Sequence, residues 1–360
     1  MNGHGLDFER PLTELEKKIE ALKKSSESSG IDLSSQIATL EKELETQRSK
    51  LYSHLTAWQK VQLARHPRRP YMLDFVRLIT QSFTELHGDR LFGDDKALIG
   101  GLAVVEGRKM MFVGHQKGRD TKENIMRNFG CPHPEGFRKG LRLMRMAEKF
   151  RLPVVSFIDT PGAYPGIGAE ERGQAQAIAF NLREMMQIRT PMIIIIIGEG
   201  CSGGALGIGI GDVVAMLQYS YYSVISPEGC AAILWKDAGK MDLAAACLKL
   251  TAADLSQHKL IDDVIPEPLG GAHTNHAEMA RTLKERLFTY LDDLRDIPLD
   301  QLMERRYGKF RAMGAFIEKM APRLEPLLPE AVGGPGSGIE SVAPEVPAEL
   351  SVATETEVEQ

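Results

Sequence analysis

Residues 153–211 read PVVSFIDTPGAYPGIGAEERGQAQAIAFNLREMMQIRTPMIIIIIGEGCSGGALGIGIG. Two apolar runs in this stretch, 154–158 and 192–197, are short, bounded and β-branched, as strands buried in a parallel sheet are. Each ends in a glycine-rich loop followed by a helix start, and one amphipathic helical pattern lies between them. The stretch is predicted to be a βαβ crossover in an α/β fold. Its two loops fall at the carboxyl ends of the strands, where open α/β sheets hold ligands. Backbone N–H groups freed by glycine at a helix start can hold an anion or a developing oxyanion. The candidate site is placed here.

Outside this stretch, composition sets bounds. The 360 residues are 43% hydrophobic and 26% charged, ordinary globular proportions. A net charge of −5 supplies no broad basic field and argues against nucleic-acid binding. No run is long and apolar enough for a membrane span, since 192–197 is cut off by Gly198 and Glu199. The start, MNGHGLDFERP, lacks the layout of a signal peptide, so a cytoplasmic location is expected. Cys131, Cys201, Cys230 and Cys247 show no Cys-x-x-Cys spacing, so neither a disulfide framework nor a metal site is expected. Cys201 alone sits in a glycine loop, but no histidine near it in sequence would activate it.

Upstream, residues 10–64 read as a helical hairpin. Leu12, Leu15, Ile19 and Leu22 alternate spacings of three and four, the run SSESSG (25–30) breaks the pattern, and Leu33 to Trp58 largely resume it. The expected role is packing or assembly. HPRRP (66–70) marks a boundary. A helical stripe is predicted over 71–86, from Leu73, Val76, Ile79, Phe83 and Leu86. A β-hairpin turning near Glu106–Gly107 follows, then a helix from about Pro134 to Phe150. Lys117, Arg119, Lys122, Arg127, Arg138 and Lys139 make the intervening segment locally basic. It reads either as a solvated face or as a patch for the phosphates of an anionic ligand.

Downstream, DVVAML and YSVIS suggest strands. Ser226-Pro227-Glu228 reads as a helix start, and Thr251 with Asp254 as a capping box. Residues 274–326 read as helical with a break at Pro298, and from 327 a disordered, acidic tail is expected.

Two familiar motifs are rejected within the central stretch. Gly198-x-Gly200-x-x-Gly203 fits the dinucleotide fingerprint, but the helix after it is short and glycine-containing, and the positions for a ribose-binding acid read QYSYYSV. Asp159-Thr160-Pro161-Gly162 resembles a Mg²⁺-side loop, yet no G-x-x-x-x-G-K-[ST] cradle accompanies it. The glycines then serve close approach. Either Gly203-Gly204 presents donors to a thioester or urea oxygen, with Gly162–Gly168 as a second donor loop, or the glycines only allow tight helix–strand packing. Nearby carboxylates are Asp159, Glu170, Glu171 and Glu199. Capping accounts for the adjacent pair at the helix start.

At these residues the chain resembles the α subunit of the bacterial and plastid-type acetyl-CoA carboxylase carboxyltransferase. The resemblance rests on RPYMLDF (69–75), LHGDRLFGDD (86–95), GHQKGRDTKENIMRNFG (114–130), PEGFRKG (134–140), FIDTPGAYPGIGAEERGQ (157–174), GEGCSGGALGIG (198–209) and YSVISPEGCAAILWKD (222–237). Departures such as Cys131 touch no residue given a role. The family implies a crotonase-like ββα-spiral over 71–326, after an N-terminal helical segment at 1–70 and before the tail at 327–360.

The resemblance also implies a reaction: transfer of the carboxyl group from carboxybiotin on a carrier protein to acetyl-CoA, giving malonyl-CoA. No cofactor would be bound by this chain itself. The family pairs the α chain with a zinc-ribbon β chain as α₂β₂, and works with the biotin carboxyl carrier protein and a separate, ATP-using biotin carboxylase. The backbone N–H groups of Gly203 and Gly204 would form an oxyanion hole, with Gly162 and Ala163 opposite. Tyr164, Gly166, Gly168, Arg127, Arg138 and Lys139 would bind substrate. The alternatives are a partner-independent hydratase or isomerase with a paired glutamate at the thioester, and a scaffolding subunit. Gly204→Val is expected to spare assembly while abolishing turnover.

Overall fold

The isoleucine run at 192–197 forms the middle of a central strand and divides its side chains between two cores. Ile193, Ile195 and Ile197 enter one, Met192, Ile194 and Ile196 the other. That is the period-2 alternation of a strand covered on both faces. The computed structural model describes residues 6–29 and 32–314. The expected tail at 327–360, and residues 315–326, lie outside the described residues.

The strands are β1 (Ser82–Glu85), β2 (Leu98–Val105), β3 (Arg108–His115), β4 (Val154–Thr160), β5 (Met192–Cys201), β6 (Val213–Leu217), β7 (Tyr221–Ser223) and β8 (Asp263–Ile265). They form one sheet ordered β1-β2-β3-β4-β5-β6-β8, with β7 pairing the far end of β5. β1, β2 and β3 are antiparallel neighbours, and every pairing from β3 onward is parallel. In register, Phe157 of β4 stands opposite Ile195 of β5. The two strands therefore end together, and their loops emerge side by side.

Helices α1 (Arg10–Ser29) and α2 (Ser34–Ser53) form the expected hairpin. They run antiparallel, since Glu16 pairs with Arg48 and Lys23 with Glu41. The predicted break is displaced: residues 25–29 remain helical, and the Ser28 hydroxyl is accommodated by donating to the Ser25 carbonyl at 3.1 Å. A capping box of Thr56 and Gln59 then starts α3 (Ala57–Ala64). The stripe predicted over 71–86 is cut short. α4 (Met72–Ile79) ends where Thr80 turns extended, and Phe83 enters β1, whose pairing with β2 outweighs the helical spacing.

α5 (Thr121–Met126) is followed by α6 (Pro134–Lys149), close to its predicted span. The helix predicted between the two central strands is two, α7 (Ile167–Glu171) and α8 (Gln174–Met185), joined at Gly173 with φ +80°. After β5 come α9 (Ser202–Leu206), α10 (Pro227–Trp235), α11 (Met241–Leu248) and α12 (Ala252–Gln257), then α13 (His276–Arg295) and α14 (Leu299–Arg311). The Ser226 cap and the Thr251–Asp254 box start α10 and α12 as expected. α4 and α13 cover one face of the sheet, and α6, α8, α9 and α12 cover the other.

Candidate functional site

The loops leaving β4 and β5 meet backbone to backbone. A Cβ placed on Gly204 would stand 2.5 Å from the Gly162 carbonyl carbon and 2.8 Å from the Ala163 nitrogen. Position 204 has no room for a side chain. Gly162 takes φ +149°, and its N–H donates to the Thr160 hydroxyl at 3.1 Å, fixing the start of the first loop. Gln174 closes the far side by donating to the carbonyls of Pro132 at 2.8 Å and Tyr164 at 3.0 Å. The Tyr164 ring stacks on His133 with centroids 4.1 Å apart.

Between the loops lies a cavity of about 580 Å³. Gly162, Ala163, Tyr164, Gly166 and Gly203 line it, with Gly204 directly behind. As first-turn residues of α9, Gly203 and Gly204 have N–H groups with no carbonyl one turn back to receive them. Such groups can accept a carbonyl oxygen that gains charge. The tight contact at Gly204 means that the close-packing and donor readings of these glycines hold together. It also corrects the expectation for Gly204→Val, which would drive the two loops apart rather than leave the scaffold untouched.

Across the ends of β4 and β5 lies a buried charge network. Lys117, just past β3, donates to Asp159 of β4 at 2.6 Å and to Glu199 of β5 at 3.0 Å. Glu199 also receives the Arg65 guanidinium at 3.1 Å and the Tyr221 hydroxyl at 2.8 Å. Burial alone would raise the Glu199 carboxyl, but the Lys117 and Arg65 charges outweigh it and hold the group down at about 2. Burial would likewise strip Lys117 of its proton, and the two carboxylates reverse that effect. Lys117 thus ties together the strand ends that carry the two loops. Arg65 brings the end of α3 into the same network, so the N-terminal segment reaches the site. Sequence reading missed this role for Lys117 and Arg65 because their partners lie 42 to 163 positions away.

The basic segment is not a free phosphate patch. Besides Lys117, Arg119 pairs with Asp74, Arg127 with Glu123 at 3.0 Å, Arg138 with Asp89 at 2.8 Å and Lys139 with Asp94 at 2.5 Å. Lys139 is only 1% exposed. Arg127, Arg138 and Lys139 do not line the glycine cavity, and Gly168 faces Arg172 instead. Of the carboxylates, Glu170 lines the cavity, while Asp159 and Glu199 are held by Lys117. Cys201 is buried, and burial pushes its thiol up to about 11, which removes it as a nucleophile.

Among the described residues, one group has ligand atoms close enough for a metal: Glu9, His66 and His273, within 4.8 Å of one another. Its two imidazoles stack face to face at 3.8 Å. Glu9 already accepts from Leu6 N–H and the Tyr52 hydroxyl, and His66 Nδ1 from Arg68 N–H. The group reads as a hydrogen-bonded seam between the N-terminal segment and the body. No described helix is long and apolar enough to cross a membrane.

Residues 5–314 match the family model described as acetyl co-enzyme A carboxylase carboxyltransferase-like. The acetyl-coenzyme A carboxylase carboxyl transferase subunit alpha of Geobacter metallireducens is 55% identical over 313 residues, spanning 87% of this chain and 98% of that protein. The same-named protein of Actinobacillus succinogenes is 57% identical over 315 residues, spanning 87% and 99%. Among solved structures, a Pseudomonas malonate decarboxylase hetero-tetramer in complex with coenzyme A superposes with a TM-score of 0.53 at 17% identity, over 67% of this chain and 92% of that one. The transcarboxylase 12S core superposes with a TM-score of 0.51 at 18% identity, over 63% and 42%. At these identities the superpositions speak for the fold, and it is the crotonase-like one. The chain belongs to the acetyl-coenzyme A carboxylase carboxyltransferase alpha-subunit family, a family of transferases.

Proposed function

We propose that this chain is the α half of a carboxyltransferase that moves a carboxyl group from carboxybiotin on a carrier protein to acetyl-CoA, giving malonyl-CoA for fatty-acid synthesis. The observation that carries the mechanism is the contact between the Gly162–Ala163 and Gly203–Gly204 loops, with unspent first-turn N–H groups behind a cavity. Both substrates come from outside the chain. The N–H groups of Gly203 and Gly204 receive the ureido oxygen as the N–CO₂ bond breaks and its electron pair moves into the urea. The biotin nitrogen then takes a proton from the acetyl methyl group. The resulting carbanion attacks the released CO₂, forming the new C–C bond and leaving free biotin. This route asks for no carboxylate base, in keeping with Asp159 and Glu199 being held by the Lys117 and Arg65 cations. A hydratase would instead want paired glutamates at the thioester.

The partner expected is a homologous zinc-ribbon β chain in an α₂β₂ assembly, served in the cytoplasm by the biotin carboxyl carrier protein and biotin carboxylase. The test is malonyl-CoA-dependent carboxylation of free biotin by the purified chain, alone and with that partner. Activity only in the mixture supports the reading. Equal activity by the chain alone would remove the partner from it, and hydration of crotonyl-CoA in place of carboxyl transfer would overturn it.

A further inference from the structure

His115, the last residue of β3, is completely buried and does not line the glycine cavity. The Asp159 N–H of β4 donates to its Nδ1 at 3.4 Å. Burial, and after it the Lys117 charge, hold the imidazole down at about 3, so the ring is neutral at pH 7. A neutral imidazole carries one N–H, and with Nδ1 accepting, that N–H is on Nε2. Nε2 has no hydrogen-bond partner among the described residues. A buried polar group left unsatisfied costs about 1–3 kcal/mol, and one that persists calls for an explanation.

The surroundings of the ring supply one. Two backbone groups reach the imidazole and favour its charged form, those of Gly204 and Phe157. A carbonyl acts that way on a histidine, because it accepts and cannot donate. Phe157 is paired with strands on both sides, opposite Gly114 and Ile195, where the ladders use backbone groups. Gly204 lies outside any ladder. The N–H four residues on, that of Ile208, donates to the Ala205 carbonyl at 3.4 Å, because α9 ends at Leu206. A buried donor without its acceptor thus meets a carbonyl without its helical donor, on a residue whose own N–H is offered to the site. Hydrogen bonds of this kind are often long before a ligand binds and tighten in the complex.

We propose that His115 is a positioning residue for the donor loop, whose Nε2–H closes on the Gly204 carbonyl and fixes the first turn of α9 as its N–H groups take up the developing oxyanion. Carbonyls and N–H groups point opposite ways along a helix. A donor on the Gly204 carbonyl therefore holds the turn without competing for the oxyanion, and hydrogen bonds in series strengthen one another. The inference rests on the carboxyltransferase reading and adds the residue that aims its donors.

Two variants separate this role from core filling. Asparagine keeps an amide near the place of Nδ1 and has nothing at Nε2, whereas glutamine carries its amide nitrogen to where Nε2 stands. In the full chain with its zinc-ribbon partner, free biotin and malonyl-CoA, His115→Asn is expected to lower kcat about tenfold, the weight of one hydrogen bond. KM for biotin and for malonyl-CoA should not move, since the bond acts in the transition state. His115→Gln should return most of kcat, even though both variants lower Tm. Equal loss of kcat in the two variants would overturn the proposal, as would wild-type kcat in His115→Asn. Histidine-selective ¹⁵N NMR of the wild-type chain needs no variant to fold: the Nε2–H tautomer of His115 is expected at pH 7, and an Nδ1–H tautomer would overturn the proposal. A wild-type complex that does not carboxylate biotin would instead take down the carboxyltransferase reading, whatever the tautomer.

Discussion

Gly204 and Gly162 touch through their backbones, so closely that a Cβ on Gly204 would fall 2.5 Å from the Gly162 carbonyl carbon. Gly203, one position earlier, has different surroundings. Its added Cβ would meet only the Ile178 side chain, at 3.1 Å from Cδ1, and a flexible side chain can give way. The two glycines should therefore answer differently to the same change. Gly204→Ala is expected to cost about 1–3 kcal/mol of stability by overpacking and to lower turnover by about 10²–10³, the weight of a misplaced oxyanion donor. Gly203→Ala should leave Tm nearly unchanged and retain more activity. Urea melts and steady-state kinetics on the two variants check this, and equal behaviour would mean that the loop contact is not what positions the donors.

Lys117 bridges the strands that carry the same two loops. Lys117→Met would leave Asp159, 1% exposed, and Glu199, 7% exposed, facing each other without their shared cation. Removing one member of a buried ionic group costs about 3–5 kcal/mol. Lys117→Arg keeps the charge but carries a larger planar head, so it should recover much of the stability and less of kcat. A variant set in which Met and Arg lose equal stability would argue that volume, and not charge, is what matters at this position.

The acid limb of the stability curve should report on Glu199. Its carboxyl titrates at about 2 in the folded protein, against 4.5 when unperturbed. A depressed carboxylate contributes stability that is present above the unfolded value and lost as pH falls through the folded one. Wild type should therefore exceed Glu199→Gln in Tm at pH 6–7, and the gap should narrow between about pH 5 and pH 2. A gap independent of pH would mean that glutamine fails by shape and not by charge.

What was legible in the sequence follows the range of the interactions. The run at 192–197, the Ser226 cap and the Thr251–Asp254 box are local patterns, and they formed the elements expected of them. Phe83 fits a helical stripe just as well as a strand, and only the pairing of β1 with β2 decides between them. The basic residues from Lys117 to Lys139 looked like one patch because the carboxylates that hold four of them, Asp159, Asp74, Asp89 and Asp94, come from other segments. The three residues of β8 are too few for any periodicity to mark. The glycine loops were placed correctly on their strands, but their mutual contact depends on the β4–β5 register.

Arg69 provides the last test, on how the N-terminal segment is held to the sheet. The residue lies in the HPRRP boundary yet is fully buried. Its guanidinium donates to the Ile197 carbonyl of β5 at 2.6 Å, to the Ser220 hydroxyl at 3.1 Å, and to both oxygens of Glu267 at 2.9 and 2.6 Å. Glu267 in turn accepts from the Tyr219 and Ala272 N–H groups, so one fork organises three segments around the strand leading to Gly198. A lysine carries the charge but cannot fill four acceptors in a plane. Arg69→Lys should therefore destabilise the chain nearly as much as Arg69→Met, about 3–5 kcal/mol for a broken buried pair. If lysine restored wild-type stability by urea titration, the charge alone would suffice and the planar fork would not be what docks the boundary segment against β5.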